Sequence, residues 1–68
     1  MDVESAAIRQ IRYDRERQKL FVRFRDGDEY LYVGVPEDVH RSFVKAPSKG
    51  GYFAHEIRDR YPYNRLNS

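Results

Sequence analysis

Through the first half of this chain apolar and polar residues alternate. Between residues 20 and 25, Leu20, Val22 and Phe24 fall on one side and Phe21, Arg23 and Arg25 on the other. That period of two marks a half-buried β-strand. Upstream, residues 5–14 read as a first strand in which Ile11 and Tyr13 share a face. Ile8 lies on the opposite parity, so a bulge or a late strand start is expected. The polar run RERQK, residues 15–19, connects the two strands.

A third strand follows the turn at RDGD, and two turn geometries compete. If Asp26 and Gly27 are the central pair of a two-residue loop, Tyr30 and Tyr32 share a face with Phe21 and Arg23. If residues 25–27 form a type I turn with a glycine bulge, the parity flips, and both tyrosines join Leu20, Val22 and Phe24. A slip of one residue thus decides which tyrosines are core and which are surface. The bulged turn is favoured of the two because it gathers the large apolar side chains together.

Beyond residue 35 the period changes. Pro36, Glu37 and Asp38 suit a helix start, Val39, Phe43 and Ala46 make a narrow apolar stripe, and Pro47 ends the helix. After SKGG, the residues Phe53, Ile57 and Tyr61 recur every fourth position, predicting a second short helix before Pro62. Helices this short are not stable alone and must lie on the sheet. The expected fold is α+β: a three-stranded antiparallel meander followed by two short helices packed on one sheet face. All 68 residues make one domain, with a core from about 8 to 63 and residues 64–68 expected to fray.

Composition narrows the function classes. Aromatic residues reach 15%, which suits a thin core because each ring buries a large area. The chain has no cysteine, so neither a disulfide frame nor a cysteine zinc site supplements that core. No apolar run approaches the roughly 20 residues of a membrane span, and the N-terminal residues lack a signal-peptide pattern, so a cytoplasmic protein is expected. Net charge is only +2, yet of 13 cationic residues all but Lys19, Lys45 and Lys49 are arginine. Guanidinium groups clamp phosphate and stack on bases in ways that an ammonium does not.

Three sets of residues carry candidate chemistry. Arg23 and Arg25, with Arg12 on the neighbouring strand, form a basic stripe able to follow a phosphate backbone; the plainer reading is cross-strand pairing with Asp28 or Glu29. Tyr30 and Tyr32 are successive aromatics that either stack bases or fill the core. Ser48, Lys49 and Gly50 stand at a helix start where bare backbone N–H groups attract an anion. The plainer reading there is a serine cap with glycines permitting a tight bend. Catalysis finds little support. His40 and His55 lie in different helices without local metal-ligand partners, and Ser42 and Ser48 belong to no visible triad. No enzyme activity, metal or cofactor is expected.

The series IRYD, LFVRF, then Gly27, Tyr30 and Tyr32 in the pattern GxxYxY, then GVP, APSKGGYF and IRDRYPY resembles the KTSC domain. That small bacterial domain is named for its occurrence at the C-terminal end of some lysyl-tRNA synthetases. The resemblance runs from about residue 8 to residue 63. It implies RNA binding, a suggestion that rests on the synthetase attachment. One departure is Ala54, where the family pattern leads us to expect asparagine after Phe53. The function expected from the residues and the resemblance together is a non-enzymatic accessory domain binding nucleic acid, RNA rather than DNA. The alternative is a protein-interaction or homodimerisation module, because Phe21, Leu31 and Val33 fall on the face that the helices leave open.

Overall fold

The structure is a computed structural model, and it describes residues 8–66. Residues 5–7 of the expected first strand, and the last two residues of the tail, lie outside the described part. Strands β1 (Ile8–Asp14), β2 (Lys19–Phe24) and β3 (Glu29–Val33) form the antiparallel meander. Helix α1 (Glu37–Lys45) follows, then α2 (Lys49–Tyr52), which runs into a π-helical turn, Phe53–Ile57. The chain returns as β4 (Tyr63–Arg65), paired antiparallel to β3, so the sheet order is β1-β2-β3-β4.

The fourth strand is an addition to the expected meander, and two of its residues, Asn64 and Arg65, fall in the tail that was expected to fray. Its residues are all exposed, and its contribution is to pair the edge of β3. Tyr32 stands opposite Tyr63, and the Leu66 N–H donates to the Glu29 carbonyl at 2.8 Å.

At the β2–β3 connection the bulged turn forms. Phe24 accepts from the Gly27 N–H at 3.0 Å and donates its own N–H to the Asp28 carbonyl at 2.8 Å, with Gly27 at φ 101°. Leu20 therefore faces Tyr32 and Val22 faces Tyr30, on the side that the helices cover. The register of β1 against β2 shifts between Ile8 and Gln10, and this bulge returns Ile8 to the inner face opposite Phe24.

Leu20, Val22, Tyr32, Val35, Phe43, Phe53 and Ile57 are buried, with Ile11, Tyr13, Val39 and Tyr61 packed at the margin. Helix α1 delivers Phe43 to this core, with Pro36 at its cap position rather than its first helical one. The second helix begins at Lys49, three residues earlier than the aromatic spacing suggested. It widens at the π turn, where the Arg58 N–H reaches the Phe53 carbonyl at 2.9 Å. Both helices lie on the same sheet face. Among the described residues no helix is long and apolar enough to cross a membrane.

Candidate nucleic-acid interface

Alternation places Gln10 and Arg12 of β1, Phe21 and Arg23 of β2, and Glu29, Leu31 and Val33 of β3 on the face away from the helices. Arg12 pairs across from Phe21, and its guanidinium carbon sits 4.3 Å from the ring centroid. This cation–π contact holds a long side chain flat on the sheet while leaving its side chain 62% exposed. Arg23 is one diagonal step away and faces Glu29 directly. The two guanidinium groups converge on the same carboxylate: Arg23 reaches Glu29 Oε1 at 3.4 Å and Arg12 reaches Oε2 at 3.8 Å. Two cations against one anion leave a local excess of positive charge on a surface that no described element covers.

The other expected site residues are not gathered there. Arg25 sits exposed in the β2–β3 turn, at the end of the sheet rather than on its open face. Tyr30 and Tyr32 are on the opposite, helix-covered face. Tyr32 is 2% exposed and meets Phe53 edge-on at 5.4 Å, so it is a core residue whose ring has no room to stack a base. Burial pushes its phenol up to about 12, with the nearby Tyr63 and Tyr30 adding to the effect. Tyr30 is half-buried and packs edge-on against Phe24 and tilted against Tyr63.

Ser48 caps α2: its hydroxyl accepts from the Gly51 N–H at 3.1 Å, and its carbonyl accepts from the Tyr52 N–H at 3.0 Å. Lys49 turns back to donate to the Ala46 carbonyl at 3.3 Å, and Gly50 is buried. This segment is built as a helix start, its polar groups turned on its own backbone. Among the described residues, no group of three or more His, Cys, Asp or Glu side chains is placed to hold a metal ion.

One concave site was missed by sequence reasoning. At the end of the sheet nearest the β2–β3 turn, a cleft of about 470 Å³ opens on the helix-covered face between that turn, the π turn and β4. Its walls carry Phe24, Tyr30, Tyr32, Phe53 and Tyr63, and Ala54 lines it at the position where the family pattern suggested asparagine. The only advance signal was the tyrosine pair, and that is not enough to place Tyr63 beside it.

Comparison with known proteins agrees with this architecture. The family model described as KTSC domain matches residues 4–61. A lysine–tRNA ligase of Nostoc punctiforme is 33% identical over 64 residues, covering 94% of this chain but 11% of that enzyme. The chain thus spans about a tenth of the curated ligases that it matches. A protein of Stutzerimonas stutzeri is 33% identical over 66 residues, covering 96% of this chain and 93% of its own length. The crystal structure of a KTSC domain protein from Yersinia pestis superposes with a TM-score of 0.87 at 35% identity, covering 98% of this chain and 94% of that one. The chain belongs to the KTSC domain family.

Proposed function

We propose that this domain is a non-enzymatic, cytoplasmic accessory module that binds single-stranded RNA on its open sheet face. The observation that carries the reading is the convergence of Arg12 and Arg23 over a sheet face that no described element covers, one of them already laid flat on Phe21. Two phosphates of a backbone would approach these guanidinium groups, and Glu29 holds them oriented in the free protein. Phe21 offers the stacking surface that the tyrosine pair does not. The occurrence of related segments in lysine–tRNA ligases lends the reading context, since those proteins handle an RNA.

Fluorescence anisotropy with a short mixed-sequence RNA, measured over a salt series, tests it. Binding should weaken as salt rises, and Arg12→Ala/Arg23→Ala should lower the affinity and flatten the log–log salt slope by about 1.4, the contribution of two single-strand phosphates. Binding that is unchanged in the double variant would remove the open face as the site.

A second reading has its own observation. Phe21, Leu31 and Val33 are only half-buried on a face that no described element covers, and a second copy laid there would complete their burial. Light scattering over a concentration series separates the two: a firm dimer that shows no RNA binding favours self-association.

A further inference from the structure

The aromatic cleft faces away from the Arg12 and Arg23 surface, and its chemistry is of the opposite kind. Tyr30 and Tyr32 lie with centroids 6.4 Å apart and planes within 26° of parallel, while Tyr63 leans against both at 5.5 Å. Phe24 and Phe53 close the inner wall, 5.5 Å apart. Tyr63 stays 54% exposed, so the cleft is open to solvent along β4.

Charge on the rim points to the sign of the occupant. Three carboxylates line the cleft, Asp26, Asp28 and Asp59, against one lining guanidinium, Arg58. Asp28 is held by Arg65 at 2.8 Å from outside the cleft. Counting that pair as neutral leaves Asp26 and Asp59 against Arg58, a net single negative charge. The rings add to it, since the face of a phenol or benzene ring is the negative part of its quadrupole. A phosphate would meet two carboxylates here.

Tyr32, 2% exposed, lines the cleft as well, and among the described residues no side-chain nitrogen or oxygen is both buried and without a partner.

We propose that this cleft is a binding site for an alkylguanidinium cation, seated against the rings of Tyr30 and Tyr63 with its N–H groups directed to Asp59. A guanidinium fits on two counts: it is flat enough to lie on an aromatic ring, and it carries several donors in one plane. Ala54 leaves room at the mouth that a longer polar side chain would fill. The proposal does not depend on the RNA reading, because the two surfaces lie on opposite faces of the sheet.

The test is an NMR titration of the full chain with agmatine, acetyl-arginine amide, acetyl-citrulline amide and AMP in parallel. Saturable shifts of the Tyr30 and Tyr63 ring protons and the Ala54 methyl, in the low-millimolar range, are expected for the two cations. Tighter binding of agmatine would mark a free guanidino compound as the natural class. Tighter binding of the blocked arginine would mark a peptide side chain. Asp59 is exposed, so Asp59→Asn should leave the spectrum folded and weaken the cations by about threefold or more, the size of one exposed charge contact. Citrulline binding as well as arginine, AMP binding better than either cation, an unaffected Asp59→Asn variant, or no saturable shift with any cation would each overturn the proposal.

Discussion

The Ser48 hydroxyl accepts the Gly51 N–H at 3.1 Å, and a Cβ added to Gly51 would lie 2.9 Å from that same oxygen. The cap and the glycine are therefore one device. Ser48→Ala should destabilise the fold by about 1 kcal/mol through loss of the cap. Gly51→Ala should cost a similar amount, because the new methyl displaces the hydroxyl. Combined, the two substitutions should cost clearly less than the sum of the single effects, since the second removes nothing that the first has left. Urea denaturation of the four proteins measures the cycle. RNA affinity measured on the same proteins should not change, because the capping groups face their own helix.

Glu29 works against binding while it orders the free surface. Its carboxylate oxygens each hold one guanidinium, and its side chain is 19% exposed. Glu29→Gln should keep the β2–β3 register, which Arg23 and Glu29 share through their backbone, and should change stability by no more than about 1 kcal/mol. Its effect on RNA should be opposite to that of removing the arginines: affinity up by about three- to tenfold at low salt, with a steeper salt slope. Anisotropy titration at two salt concentrations reads both.

Much of this architecture was legible in the residues because the physical signals were local. Leu20, Val22 and Phe24 alternate, Val39 and Phe43 lie one helical turn apart, and Gly27 sits where a bulged turn needs positive φ. The open choice between two hairpin registers was settled by where the tyrosines are buried, and the favoured one formed. What stayed hidden depends on contacts distant in sequence. Strand β4 has no buried residue and no alternation to reveal it, since its hold on β3 is mainly through the backbone. The π turn leaves no spacing that differs from an ordinary helix over so few residues. Arg12 and Arg23 were placed together correctly by parity, whereas Arg25 was carried off by the very turn that fixed the register. Tyr30 and Tyr32 went with the core for the same reason. The cleft required knowing that Tyr63 returns to them.

The buried phenol of Tyr32 makes stability depend on alkaline pH. Its value is raised from an ordinary 10.0 to about 12 because burial disfavours the phenolate. A raised folded value means that the stabilisation is complete below pH 10 and is lost as pH climbs through about 12. The loss attributable to this group is about 2 to 3 kcal/mol at the upper end of that window. Tyr32→Phe removes the titration and also removes a hydroxyl that has no partner among the described residues. The variant should be as stable as the parent near pH 8 and should lose less between pH 10 and 12. A smaller residual loss will remain from Tyr13, whose phenol is also raised by burial. Urea midpoints across that range, for the two proteins side by side, check it.

His40 sets a second dependence at the acidic side. Its ring stacks on Tyr13 with centroids 4.5 Å apart and planes 11° from parallel, while the Tyr13 hydroxyl donates to the Val35 carbonyl at 2.6 Å. Packing against this anchored ring shuts water away from the imidazole, and burial lowers its value below the usual 6.5; Glu37 opposes the shift and Arg41 supports it. The neutral ring is thus the form that the fold prefers. Stability from this source is complete above pH 6.5 and is lost as pH falls through the lower folded value. His40→Phe keeps a flat ring on Tyr13 but has nothing to protonate, so its urea midpoint should stay level from pH 7 to pH 5 while that of the parent falls. The Asp14 carboxyl, held below its usual 3.8 by the Arg17 N–H, titrates below this window and affects both proteins alike. Parallel decline of the two midpoints would show that the stack tolerates the imidazolium, with the attraction of the cation for the phenol ring offsetting its lost hydration.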